Sequence, residues 1–293
     1  MCLAFGLTKR LIILAFYLKQ THVLSQPINY NRTLIMFNAL KYTNEDRLAT
    51  IVLNRPNDAN GLTLEMATEL AEAAKLVSSD DSVKAVVITG EGRFFCAGGD
   101  VASMYHADNS GEAVKAIADA LHDAIEIFAT MDAPVICAVN GVAAGAGFSM
   151  AVMGDLVIAA DSAKFTMAYS NIALSPDGSS TYYLPRLVGL RKAQELMYTN
   201  RVLSAEEALD WNLINYVVPA DDLASKIEEV TGMFLKGSRQ SNASIKKLLI
   251  SSETNSLHDQ MMLESQTISD CANGDDGKEG VASFIEKRKP TFS

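Results

Sequence analysis

From Arg47 onward the apolar and polar positions repeat a unit of strand, loop and helix. "RLATIVLNRP" (47–56) is a short β-branched run, and "TLEMATELAEAAKLV" (63–77) behind it carries an apolar face at helical spacing. "SVKAVVITG" (82–90) leads through a glycine-rich loop into "GEAVKAIADALHDAIEIFATM" (111–131), a long amphipathic helix. "APVICAVNG" (133–141) is followed by "GAGFSMAVMG" (145–154), and "DLVIAA" (155–160) opens a fourth round. Strands that are apolar on both sides belong to a sheet covered on both faces, so the pattern predicts an α/β core. After Pro185 the period stays helical, from "RKAQELMYTN" through "LASKIEEVTGMFLKG" to "GKEGVASFIEKR". No low-complexity linker intervenes, which predicts one core at 36–230 and a helical C-terminal region at 231–293.

Residues 1–35 stand apart. "TKRLIILAFYL" sets Lys9 and Arg10 before eight apolar residues, a length too short to span a bilayer. Two readings stay open: a signal-peptide core cleaved after Ser25, or a start at Met36 with an extension outside the fold. The second is the expectation taken forward. The sequons at Asn31 and Asn242 matter only for a secreted chain.

Composition narrows the partners. With 48% hydrophobic residues the 293-residue chain can bury a large core, and 35 acidic against 25 basic residues give a net charge of −10. Such a surface repels phosphate backbones, so nucleic acid is excluded as a partner, and no segment calls for a membrane. Cys2, Cys96, Cys137 and Cys271 have no disulfide spacing, which suits a reducing, cytoplasmic setting. His22, His106, His122 and His258 have no ligand spacing, so no metal is expected.

The familiar glycine motifs fail. "TGEGRFFCAGG" lacks the third glycine of a dinucleotide fingerprint, "GVAAGAG" has no Lys-Ser/Thr behind it, and "GFSMA" does not complete a nucleophile elbow around Ser149. Two backbone loops remain, "CAGGD" after one apolar strand and "GVAAGAG" after another. The second precedes a helix expected to start near Gly145, whose first amides have no partner inside the helix. Two such amides aimed at one oxygen form an oxyanion hole, suited to a reaction that builds negative charge on a carbonyl oxygen. Tight strand-to-helix turns are the competing explanation for either loop taken alone.

In order and context these loops resemble the crotonase (enoyl-CoA hydratase/isomerase) superfamily. The resemblance rests on "LNRP" (53–56), "ITGEGRFFCAGGD" (88–100), "APVICAVNGVAAGAG" (133–147), "LSPDGSSTYYLPRLVG" (174–189) and "EGVASFIEKRKPTF" (279–292), and it covers the chain from about residue 36 onward. It implies a crotonase-like spiral of ββα units with helical C-terminal decoration, a homotrimer or a hexamer formed as a dimer of trimers, and an acyl-CoA thioester substrate. No permanently bound cofactor is implied, coenzyme A arriving as part of the substrate. Carried over position by position, the oxyanion amides fall on Gly99 and on Ala146, which departs from the glycine common there. Asn57, Ala59, Ala97, Gly98, Asp100, Val101, Val142 and Gly145 match segments that line the CoA moiety. Phe284 and Lys287 match a C-terminal helix that reaches the nucleotide, frequently a neighbour's.

Hydratases of the family use two glutamates, and the matching positions here hold Ser149 and Tyr169. Neither is a carboxylate, which argues against efficient hydration. "SPDG" instead places Asp177 where isomerase relatives carry their single catalytic carboxylate, so the chain resembles the isomerase-like branch. Asp177 would shift a double bond within a pocket expected to be walled by Phe94, Phe148 and Met167. The competing role for Asp177 is the N-cap of the helix that follows. A second enzyme reading makes Asp177 a nucleophile and His122 its base, as in the 4-chlorobenzoyl-CoA dehalogenases, although their tryptophan is replaced by Tyr169. A core or partner-facing histidine is the alternative for His122. A non-catalytic acyl-CoA binder is the third reading.

Overall fold

The structure, a computed structural model, describes residues 32–293. The expectations for residues 1–31, including the signal-like segment and Cys2, lie outside the described residues.

The sheet begins at Arg32 rather than Met36, because strand β1 (Arg32–Met36) pairs antiparallel with β2 (Leu40–Glu45), which returns on β3 (Leu48–Leu53). Helix α1 (Leu64–Ser78) is capped by the Thr63 hydroxyl on the Met66 amide and buries Met66, Leu70, Ala74 and Val77 at the predicted spacing. Strand β4 (Ala85–Gly90) lies parallel to β3. The chain then makes the three-residue strand β5 (Phe94–Cys96), the short helix α2 (Val101–Tyr105) and the long α3 (Ser110–Thr130).

The next rounds repeat this plan. Strand β6 (Val135–Val139) is followed by β7 (Val142–Ala144) and helix α4 (Ala146–Val152), then β8 (Leu156–Ala160) by β9 (Lys164–Thr166). The first strand of each pair enters one seven-stranded sheet, ordered β1-β2-β3-β4-β6-β8-β11, where β11 is Tyr216–Val218. The second enters a four-stranded sheet, ordered β10-β9-β7-β5, where β10 is Leu203–Ser204. One strand per sheet and then a helix, repeated, is the spiral of ββα units expected from the sequence. Its consequence for function is local: β5 and β7 are parallel neighbours, with Cys96 opposite Ala143, so the loops leaving them emerge side by side.

Helices dominate after residue 180: α5 (Ser180–Val188), α6 (Leu190–Thr199), α7 (Ala205–Asp210), α8 (Leu223–Lys236), α9 (Arg239–Ser252), α10 (Leu257–Asn273) and α11 (Asp275–Glu286). Helix α8 runs through the expected 230/231 boundary, and its Leu223 and Val230 close a second core against Val87, Ile136 and Ile158 on the sheet. Helix α9 is fastened by Lys246. Its buried ammonium donates to Asp155 Oδ2 at 2.8 Å and to the Phe128 carbonyl at 2.5 Å, so the charge is both paired and hydrogen-bonded. No helix among the described residues is long and apolar enough to cross a membrane.

Candidate active site

The loops leaving β5 and β7 touch main chain to main chain. A Cβ built on Gly98 would stand 3.0 Å from the Ala144 carbonyl oxygen and 3.5 Å from Gly145 Cα, and both glycines have positive φ, +104° and +52°. A side chain at Gly98 would be both strained and pressed against the second loop, and one at Gly145 would be strained by its positive φ, so glycine is favoured at both.

Most amides of the first loop are occupied. Ala97 N donates to the Ala59 carbonyl at 3.0 Å, Gly98 N to the Cys96 sulfur at 3.4 Å, and Asp100 N to the Leu62 carbonyl at 2.9 Å. Gly99 N has no acceptor among the described residues. In the second loop Gly145 N donates to the Thr166 carbonyl at 3.1 Å, and Ala146 is the first residue of α4, where an amide has no partner inside the helix. Ala146 keeps a negative φ, so its side chain carries no conformational cost at this position. Both residues line one cavity of about 440 Å³. Burial pushes the Cys96 thiol under this loop up to about 12, which leaves it protonated and inert.

Across the cavity stands Asp177. Helix α5 starts at Ser180 with Ser179 as its N-cap residue, so Asp177 does not serve as the helix cap and only its main-chain carbonyl meets the helix start. The carboxylate instead meets His122 of α3, Nε2 to Oδ1, at 2.8 Å. The two side chains are 50% and 35% exposed, so the pair faces solvent rather than the core; Asp177 lines the cavity and His122 does not. The core alternative for His122 is thereby overturned. Ser149, fully buried, and Tyr169, which lines the cavity, approach the same residue, with Ser149 Oγ 2.7 Å and Tyr169 OH 3.2 Å from the Asp177 carbonyl oxygen. Burial, and then the nearby Asp177 charge, push the Tyr169 phenol well above its ordinary range, so it stays a neutral hydroxyl.

The walls differ from expectation. Phe148 and Met167 are fully buried in the main core and Phe94 does not line the cavity; the apolar walls come from Met104, Ile117, Leu121 and Leu174, because α3 folds over the opening. Of the CoA-side candidates, Ala97, Gly98, Val101 and Gly145 line the cavity, whereas Asn57, Ala59 and Val142 do not. Phe284 is 82% exposed on α11 and Lys287 follows that helix, neither lining the cavity of this chain.

Asp100 has a scaffolding position. Its carboxylate caps α2 through the Ser103 amide at 2.9 Å and pairs with Arg55 at 3.0 Å. Burial pushes its pKa upward, but the amide and the guanidinium outweigh it and hold the carboxyl below the usual carboxylate range. Stability from this group is therefore complete above the ordinary value near 3.8 and lost as pH falls through the lower folded value. Asp100→Asn keeps a capping side chain but loses the charged pair. It should cost about 1–2 kcal/mol at pH 7 and show a flatter acid limb below about pH 4 in denaturant melts. Equal wild-type and variant midpoints at pH 7 would contradict this.

Arg55 and Asn60 escaped sequence reading. Asn60 is fully buried, and its amide donates to the carbonyls of Glu91, Phe94 and Phe95, stapling the 55–61 turn to the loop before Gly99. The signal available was an asparagine in "RPNDANG", where polar residues are ordinary turn formers.

Comparison with known proteins places this geometry in context. Residues 43–293 match the family model described as Enoyl-CoA hydratase/isomerase. The chain is 38% identical over 252 residues, 85% of its length and 96% of the relative's, to a 1,2-epoxyphenylacetyl-CoA isomerase of Escherichia coli (strain K12). It is 38% identical over 187 residues, 63% of its length and 68% of the relative's, to 4-chlorobenzoyl coenzyme A dehalogenase-2 of Arthrobacter sp. The crystal structure of an enoyl-CoA hydratase from Polaromonas sp. JS666 superposes with a TM-score of 0.81 at 35% identity, covering 87% of this chain and 100% of that one.

Proposed function

Because the chain belongs to the enoyl-CoA hydratase/isomerase family and is an acyl-CoA-processing enzyme, we propose that it is an enoyl-CoA isomerase moving a double bond from the 3- to the 2-position of an acyl-CoA thioester. The observation that carries this reading is that Asp177 is the only carboxylate lining the cavity among the described residues. Hydration needs acid–base groups at two places, whereas a 1,3-proton shift needs one that first accepts and then donates. The 38% identity to a 1,2-epoxyphenylacetyl-CoA isomerase supports acyl-CoA isomerisation in general, and the 38% identity to a dehalogenase stands beside it.

In the proposed cycle the thioester oxygen takes hydrogen bonds from the amides of Gly99 and Ala146. Asp177 removes a proton from C2, and the C–H electron pair moves into a dienolate whose charge rests on that oxygen. The dienolate collapses from C4, which takes the same proton back from Asp177. Atoms and charge balance without a co-reactant. His122 holds Oδ1 and leaves Oδ2 for the substrate. The CoA moiety would run past Ala97–Val101 and Gly145, with Asn57, Ala59 and Val142 farther along. Purified protein should convert a 3-enoyl-CoA to the conjugated 2-enoyl-CoA, seen as growing thioester absorbance; absence of conversion across several chain lengths would reject the assignment.

A second reading is favoured by the 2.8 Å contact between His122 and Asp177, the arrangement needed if Asp177 attacks carbon and His122 later deprotonates water. Release of halide from a halogenated aryl-CoA would support it over the proton shift. We further propose a homotrimer or a dimer of trimers in a cytoplasmic setting. Exposed Leu257, Met261, Ile268 and Phe284 on α10 and α11 supply apolar surface for subunit contacts, through which Phe284 and Lys287 would reach a neighbour's CoA. Sedimentation velocity should read three or six copies.

A further inference from the structure

Resting on the isomerase reading, we infer that Ser149 and Tyr169 are positioning residues whose hydroxyls grip the main-chain carbonyl of Asp177 and thereby aim its carboxylate at the atom beside the two free amides. Three hydroxyls crowd that one oxygen: Ser149 Oγ at 2.7 Å, Ser180 Oγ at 2.9 Å and Tyr169 OH at 3.2 Å. Ser180 belongs to the start of α5 and is what an ordinary helix entry supplies. Ser149 and Tyr169 come from two other elements and stand 3.1 Å from each other.

The direction of the Ser149 bond is informative. A serine inside a helix usually returns its hydroxyl to the carbonyl four residues back, here Gly145, but that oxygen is 3.3 Å away and the Asp177 carbonyl is nearer at 2.7 Å. The turn has been brought in to meet it. Gly178 has φ +61°, and a Cβ added there would come within 2.9 Å of Ser149 Cβ, so only glycine lets residues 177–178 press this close. Ser149 sits on α4 three residues beyond Ala146, and is fully buried. The bond therefore ties the proton carrier to the same short helix that presents one oxyanion amide, fixing the distance between the two halves of the site. A misplacement of such groups by a fraction of a hydrogen-bond length costs rate without loss of substrate binding.

Two measurements test the inference. In kinetics on a 3-enoyl-CoA, Ser149→Ala and Tyr169→Phe should each lower kcat about tenfold per folded molecule while KM stays within about twofold. A purely structural role would lower the melting temperature and leave kcat per folded molecule unchanged. The second measurement needs no substrate: the His122 Nε2 resonance, read by nitrogen-15 NMR, should move in Asp177→Asn because the contact is altered. It should move in the same direction in the Ser149→Ala/Tyr169→Phe double variant, in which the carboxylate is no longer aimed. An unmoved resonance together with wild-type kcat would overturn the inference. If wild type fails to isomerise but the resonance moves, the isomerase reading falls and the positioning role stands.

Discussion

Asp177→Asn should lower turnover of a 3-enoyl-CoA by about 10³-fold, within the range that a positioned acid–base group contributes. The substitution is nearly isosteric. Asparagine keeps an oxygen toward His122, and the main-chain carbonyl held by Ser149, Tyr169 and Ser180 is untouched. What disappears is the ability to hold a proton between C2 and C4. Calorimetric titration with a saturated acyl-CoA should therefore return nearly wild-type affinity while the growth of conjugated thioester absorbance stops. A variant that keeps more than a tenth of wild-type turnover would remove Asp177 from the mechanism, whatever its distance from the cavity.

The second large effect comes from an atom that no ordinary side-chain substitution reaches. Ala146 is the first residue of α4, the one helical position where proline fits, because its fixed φ is helical and the amide it lacks has no partner inside the helix. Ala146→Pro thus replaces one oxyanion donor by a ring carbon at the same place, with little demand on the helix. The expected cost is about 10²–10³ in kcat, or about 3–4 kcal/mol of transition-state stabilisation. Ala146→Gly retains the N–H and should stay within a few-fold of wild type, which makes it the control. Circular dichroism with equal helix content in both variants secures the comparison. Proline and glycine variants of equal activity would show that the thioester oxygen is held elsewhere.

The features legible in the sequence were those written in local pattern. Repeated β-branched runs followed by helical periods gave the α/β core, and glycines directly after apolar strands marked the two loops. Strands such as Phe94–Cys96 and Val142–Ala144, three residues each, are too short to show a period, so a second sheet was invisible even though it sets the loops side by side. Long-range side-chain pairing is equally silent in sequence. His122 and Asp177 are 55 residues apart, and local pattern in neither neighbourhood announces the other; only the resemblance to the dehalogenases named them together. Phe148 and Met167, expected as cavity walls, both lie fully buried in the core, Phe148 on the helix that carries Ala146 and Met167 directly after β9. The competing capping role for Asp177 is not realised: Ser179 is the residue before the helix, its side chain makes no capping bond, and Gly178, with positive φ, lies between it and the aspartate.

The division of labour in the site has an evolutionary corollary. Under the proposed function, charge on the thioester would be met by peptide N–H groups that every amino acid except proline possesses, so most changes at position 146 would leave that half of the apparatus standing wherever the backbone path survives. Under the same reading, the choice of reaction would rest on a handful of replaceable side chains at positions 122, 149, 169 and 177. A fold so partitioned can exchange one transformation for another by few mutations without relearning how to hold its substrate, and relatives named isomerase, dehalogenase and hydratase are what such a scaffold leaves behind.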